Sequence, residues 1–187
     1  MPTIKGSKTE QNILTAFAGE SQARNRYTFA ASIANKEGYV KIAYIFTETA
    51  DQEKEHAKRL FSFLEGGEVT ISAGFPAGLP QNTIAQLEAA AGGENHEWTS
   101  MYPQFSKTAR EEGFEALAKL MDGIAIAEKY HEKRFLDFLA ELKNGTYFKR
   151  DKAVTWRCRN CGYLHQGQEP PDSCPVCAHP KAYFEVL

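Results

Sequence analysis

Apolar residues recur along this chain at alternating spacings of three and four, in four separate stretches. In the first, from Thr9 to Asn35, Ile13, Phe17, Glu20, Arg24, Tyr27 and Ala31 share one helical face. Thr9 is a suitable N-cap, and Gly38 lies just past the end. In the second, from Val40 to Glu65, the stripe is Ile42, Phe46, Thr49, Glu53, His56, Leu60 and Phe63, and Gly66-Gly67 stops it. The short turn between these helices predicts an antiparallel pair. Residues 66–80 read as a connection able to cross the length of a bundle. Asn82 then caps a short helix that ends at Ala91, before Gly92-Gly93. The third long stretch, Glu94 to Glu112, aligns Glu94, Glu97, Met101, Phe105 and Thr108, with Pro103 predicting a kink. After Gly113, the fourth, Phe114 to Lys143, aligns Leu117, Met121, Ile124, Glu128, His131, Phe135, Phe138 and Leu142. Four long amphipathic helices and one long crossover predict a mainly α protein built on a four-helix bundle.

The pattern changes past Asn144-Gly145. Residues 1–8 read as a short tail, Tyr147 to Thr155 as a linker or short strand, and Lys181 to Leu187 as a strand. The segment after the bundle has too little apolar content to hold a core unaided, so a metal would supply the missing stabilisation. The expected division is residues 1–146 and residues 147–187.

Composition narrows the partners. A formal net charge of −2 writes in no pull toward nucleic acid or an anionic membrane. No apolar run approaches the roughly 18 residues of a spanning helix. Met1-Pro2-Thr3-Ile4-Lys5-Gly6 lacks the apolar segment of an export signal, so a cytoplasmic location is expected.

The informative charges are the ones on apolar stripes, where charge is expensive unless paired. Glu20, Glu53, His56, Glu94, Glu97, Glu128 and His131 fall at mid-stripe, and each long helix contributes at least one. Glu53-x-x-His56 and Glu128-x-x-His131 repeat one spelling, whose spacing stacks both side chains on one face. One Glu from each of two helices plus Glu-x-x-His from each of the other two is the di-iron carboxylate arrangement. Glu20 and Glu94 fill the single roles, and Glu97 is left over. So many carboxylates in one core repel unless cations lie between them. Oxygen ligands with two imidazoles suit iron or manganese better than copper or calcium. Tyr27 lies on the face of Glu20 and Tyr102 on the helix of Glu94 and Glu97, either as donors to a ligating carboxylate or a bound oxygen species or as ordinary core tyrosines. Arg24, Glu55, His96 and Glu132 read as structural or exposed.

All four cysteines fall in two Cys-x-x-Cys pairs, Cys158/Cys161 and Cys174/Cys177, with twelve residues between. That spacing favours a tetrahedral metal cage over disulfides. Zinc and a redox-active single iron share this grammar. His165 and His179 read as bystanders, because four thiolates complete the shell.

With these residues in place, the chain resembles the rubrerythrin family over its whole length. The resemblance is carried by Glu20, Glu53-Lys54-Glu55-His56, Glu94-Asn95-His96-Glu97, Glu128-Lys129-Tyr130-His131 and the four-cysteine framework. It implies a ferritin-like bundle holding two iron ions, followed by a rubredoxin-like module holding one. It further implies a non-haem peroxidase that reduces hydrogen peroxide, with electrons from a reduced pyridine nucleotide arriving through a separate reductase or a rubredoxin. In the family, the positions of Glu97 and His56 exchange as ligands of one iron, carboxylate when oxidised and imidazole when reduced. Family members are dimers in which the Cys₄ module lies near the partner's bundle, so a homodimer or higher homo-oligomer is expected. Two other readings compete. An iron-oxidising and storing bundle has no need of a built-in electron donor, and a nucleic-acid-binding zinc ribbon is at odds with the charge.

Overall fold

The computed structural model describes residues 3–187; Met1 and Pro2, part of the expected tail, lie outside them. The rest of that tail is tied down. Thr3 Oγ1 donates to Glu65 at 2.7 Å, and Ile4 is buried among bundle residues.

Helix α1 spans Lys8–Lys36. Its N-cap is Ser7, whose side chain accepts from the Glu10 N–H, and not Thr9. Thr9 lies inside the helix, and both its hydroxyl and its backbone N–H donate to Glu112, at 2.5 and 2.8 Å. Helix α2, Val40–Phe61, stops four residues before the expected Glu65. Helix α3 covers Thr83–His96, capped by Asn82 as anticipated. A π turn, Glu97–Met101, joins it without a break to α4, Tyr102–Glu111. Helix α5 covers Glu115–Lys143.

Two expectations fail in the third bundle helix. Gly92-Gly93 does not end it. Helical glycine costs only about 1 kcal/mol relative to alanine, and the buried face formed by Leu87, Ala90, Ala91 and Glu94 outweighs that. The second failure is the face itself. In the π turn the Tyr102 N–H reaches back five residues to the Glu97 carbonyl. The extra residue shifts the buried positions from the expected 101, 105 and 108 to Tyr102, Ser106 and Ala109. Pro103 falls directly after the π turn, at the start of α4, and the helix continues through it. In α1 the buried line is Ile13, Ala16, Glu20, Ala23, Tyr27, Ala30 and Ala34, and Arg24 is exposed beside it.

Hydrogen bonds at the two ends fix the topology. Glu65, past the end of α2, bonds Thr3 and Ile4 ahead of α1. Glu37, past the end of α1, accepts from the Thr83 N–H at 3.0 Å. The connection between α2 and α3 therefore runs the length of the bundle. Glu112, past the end of α4, bonds Lys8 and Thr9 at the start of α1. Accordingly α3–α4 runs antiparallel to α1. Among the described residues, no helix is long and apolar enough to cross a membrane.

The apolar core is split in two. One cluster contains Tyr27, Ile42, Phe46, Leu87 and Phe135. The other contains Ile13, Leu60, Tyr102, Leu117 and Met121. In each helix the mid-stripe acids lie between residues of the two clusters, as Glu53 lies between Ala50 and Leu60.

The C-terminal segment forms a three-stranded antiparallel sheet in the order β2-β1-β3: β1 is Val154–Cys158, β2 Leu164–Gly167 and β3 Phe184–Val186. The expected terminal strand is shorter than its apolar run, since Lys181–Tyr183 form a 3₁₀ turn. Trp156, Cys158, Cys174 and Phe184 make its small core. It docks on the start of α2, where Glu185 meets Lys41 at 2.9 Å and Arg159 stacks 4.5 Å over the Tyr44 ring.

Candidate metal centres

Helical register brings Glu20, Glu53, Glu94 and Glu128 together with both histidines in the layer between the two apolar clusters. Two groups of four ligand atoms result, each with its atoms within 4.8 Å of one another: Glu20, Glu53, His56 and Glu128, then Glu53, Glu94, Glu128 and His131. Glu53 and Glu128 belong to both. The geometry repeats across the cage. His56 Nδ1 lies 2.9 Å from Glu128, 3.1 Å from Glu53 and 3.8 Å from Glu20. His131 Nδ1 lies 2.6 Å from Glu128, 3.1 Å from Glu53 and 3.8 Å from Glu94.

Four carboxylates are almost fully buried, yet Glu20 Oε2, Glu53 Oε1, Glu94 Oε2 and both Glu128 oxygens have no hydrogen-bond partner. The buried His131 Nδ1 also lacks one. Buried oxygens are ordinarily satisfied. Orphaned lone pairs converging from four helices fit a pair of cations. The outer oxygens of the two unshared carboxylates are satisfied crosswise. Tyr102 donates its hydroxyl to Glu20 Oε1, and Tyr27 donates to Glu94 Oε1.

Electrostatics tell the same story. Burial, then repulsion from Glu53, pushes Glu20 well above the ordinary carboxylate range. The same two causes push Glu94 up to about 8. Burial alone would raise Glu53, but contacts with His131 and His56 hold it down at about 2. Burial alone would lower His131, but Glu128 and Glu53 drive it up to about 12; His56 is driven up by the same kind of contact, led by Glu128. Without metal the cage must retain protons, and cations would replace them.

Glu97 stands outside both groups of four. It opens the π turn and is only partly buried. Burial, then the Glu20 and Glu94 charges, pushes its carboxyl well above the usual range. Glu132 holds the turn in place, accepting from Asn95 at 2.9 Å and from the Trp98 indole at 2.6 Å. His96 and Glu55 are exposed, as expected. Sequence reasoning passed over Gln52, whose Oε1 lies 2.9 Å from His131 Nε2. The available signal was a polar residue directly before Glu53, at the edge of the buried stripe.

The four cysteines gather at the end of the small sheet. Cys158 and Cys177 sulfurs lie 3.7 Å apart, and Cys161 and Cys174 sulfurs 3.6 Å apart. A disulfide requires about 2.05 Å. Thiolates about 2.3 Å from a tetrahedral centre lie roughly 3.75 Å from one another. The two knuckles match: Gly162 and Ala178 each donate N–H to the first cysteine of their pair, at 2.8 and 2.9 Å, and both take positive φ. His179 Nδ1 contacts the Cys177 carbonyl and not a sulfur.

Comparison with known proteins converges on one family. The family model described as Rubrerythrin matches residues 11–139, and the one described as Rubrerythrin, rubredoxin-like domain, matches residues 156–185. A rubrerythrin of Nitratidesulfovibrio vulgaris is 60% identical over 187 residues, covering 100% of this chain and 98% of that protein. A rubrerythrin of Porphyromonas gingivalis is 58% identical, covering 99% and 92%. Among solved structures, fully reduced, all-ferrous nigerythrin superposes with a TM-score of 0.65 at 30% identity, covering 99% of this chain and 92% of that one. The cofactors that go with this match are a two-iron site in the bundle and a single iron among the four cysteines, in keeping with the donor sets. A carboxylate–histidine cage in a ferritin-like bundle, continued into a rubredoxin-like tail, makes this chain a member of the rubrerythrin family of di-iron oxidoreductases.

Proposed function

We propose that this protein reduces hydrogen peroxide to water as a defence against oxidative stress. Residues 1–146 hold the chemistry and residues 147–187 the electron relay. The reaction consumes one peroxide, two electrons and two protons, breaks the O–O bond and yields two waters. Irons bound in the bundle would supply the electron pair, and an iron bound by the four thiolates would supply replacements one at a time. The electrons come from a reduced pyridine nucleotide through a separate reductase or a rubredoxin.

In this reading Glu20 and His56 would hold one iron and Glu94 and His131 the other, with Glu53 and Glu128 available to both. Tyr27 and Tyr102 fix the outer carboxylates through their hydroxyls. Glu97 would be the alternative ligand to His56 in the oxidised protein, its carboxylate offsetting added positive charge as the neutral imidazole cannot. Cys158, Cys161, Cys174 and Cys177 hold the relay iron. The protein works in the cytoplasm as a homodimer or higher homo-oligomer.

The observation that carries the proposal is the pairing, in one chain, of a buried two-cation cage with a four-thiolate module. Storage of iron gives no reason for the second. The test is to reduce full-length, iron-loaded protein anaerobically and mix it with one equivalent of peroxide per chain in a stopped-flow spectrometer. Rapid oxidation of the bundle site, with re-reduction through the tail when a reductase is added, is expected. Slow oxidation by peroxide but rapid oxidation by oxygen, with iron accumulating beyond three per chain, would point to iron storage instead.

A further inference from the structure

The two ends of the cage match ligand for ligand but differ in the residues behind the ligands. Glu20 corresponds to Glu94, Glu53 to Glu128 and His56 to His131. By the same relation Gln52, directly before Glu53, corresponds to Ala127, and Ala23 corresponds to Glu97.

The consequences fall on the histidines. His131 Nε2 lies 2.9 Å from Gln52 Oε1, and its side chain is 3% exposed. An Nε2–H donated to that oxygen leaves the Nδ1 lone pair aimed at the cage. His56 Nε2 has no protein hydrogen bond among the described residues. Its side chain is 18% exposed, in a surface pocket shared with Tyr44, Glu48, Gln52 and Glu55, none of which bonds its Nε2. Ala127 has no side-chain acceptor to offer it. The replacement ligand is distributed the same way. Glu97 stands at one end of the cage, whereas its counterpart Ala23 at the other is buried and carries no oxygen.

We propose that Gln52 is a positioning residue that keeps His131 in the cage, and that alanine at position 127 leaves His56 as the histidine able to withdraw. This rests on the His56/Glu97 exchange put forward above and supplies the reason it occurs at one end only. Gln52 belongs to neither group of candidate ligands; it acts through the His131 ring.

The experiment uses full-length protein with the variants Gln52→Ala, Gln52→Glu and the double swap Gln52→Ala/Ala127→Gln. The first measurement is anaerobic titration of protein depleted of bundle iron with Fe²⁺ alone. Gln52→Ala is expected to weaken one of the two bound ions about 10–100-fold, the usual effect of losing a ligand's orienting partner. Gln52→Glu, which keeps an acceptor oxygen at that place, restores it, as mere filling of space would not. The second measurement is crystallography of oxidised and reduced iron-loaded protein, read for which imidazole stands at ligand distance. The double swap is expected to retain His56 in the oxidised state and to release His131. Unchanged Fe²⁺ affinity in Gln52→Ala, or continued withdrawal of His56 in the double swap, overturns the proposal. If neither histidine moves in the unaltered protein, the exchange reading fails and takes the Ala127 half with it. The titration then still decides the Gln52 half.

Discussion

The bundle and the C-terminal module hold metals in opposite ways. The bundle brackets its cage with two apolar clusters, so its helices have cores of their own on either side of the charged layer. The module has a core of four buried residues, two of which are themselves cysteines of the metal cage. The bundle therefore tolerates its metals at an electrostatic cost that protons can meet when the metals are absent. With so small a core, the module is expected to draw its folding energy from its metal.

Cys174→Ser tests this difference most severely. Metal-binding free energies in small thiolate domains are on the order of 10 kcal/mol and are folding energy. The tail amides should lose hydrogen-exchange protection while far-ultraviolet helicity stays. Retained protection in the tail would break the comparison. Leu60→Ala should do the converse. It opens a cavity in the second apolar cluster, costs about 2–5 kcal/mol, and lowers the thermal midpoint of the helices with no change in the visible spectrum of the Cys₄ iron. A change in that spectrum would mean that the two regions are energetically one.

Glu185 probes the seam between them. It accepts from Arg157, Arg159 and Lys41, and those contacts, against the opposing effect of burial, hold its carboxyl at about 2. A depressed folded value contributes stability fully above the ordinary carboxylate value, and the contribution is lost as the pH falls through about 2. Glu185→Gln should cost about 1.5 kcal/mol near neutral pH, at the low end for charged hydrogen bonds because Arg157 is half in solvent. The two proteins should converge in denaturant midpoint toward pH 2. A difference that persists below pH 2 would assign the effect to packing. The smallest effect belongs to Gly92→Ala. Gly92 is helical and a Cβ there meets nothing within 4 Å, so a gain of about 0.5–1 kcal/mol is expected in the bundle midpoint alone. Destabilisation would show that the helix needs that glycine.

Much of the cage was legible because buried charge on a regular stripe is rare. Glu20, Glu53, Glu94, Glu128 and His131 are buried at the positions their periodicity indicates, and the repeated Glu-x-x-His identifies α2 and α5 as partners. What periodicity could not convey is what packing imposes on it. Gly92-Gly93 carries the local signal of a helix end, and only the contacts of Leu87 and Ala91 with the rest of the core keep the helix going. The π turn has no signature of its own, so the buried positions in the rest of that helix are displaced by one. Gln52 lies beside the stripe, and its importance depends on a residue on another helix.

That displacement has a mechanical side. The Glu20–Tyr27 separation is seven residues and the Glu94–Tyr102 separation is eight, the difference being the extra residue of the π turn. With α1 and α3–α4 antiparallel, the two hydroxyls cross to the opposite helix and close a ring: Glu20, Tyr27, Glu94, Tyr102. Two reciprocal struts of this kind resist shear. Sliding one helix past the other by a single residue, about 1.5 Å, strains both at once. The cage is thereby fixed along the bundle axis by side chains that need no metal to hold them, so its spacing can outlast the loss of either ion.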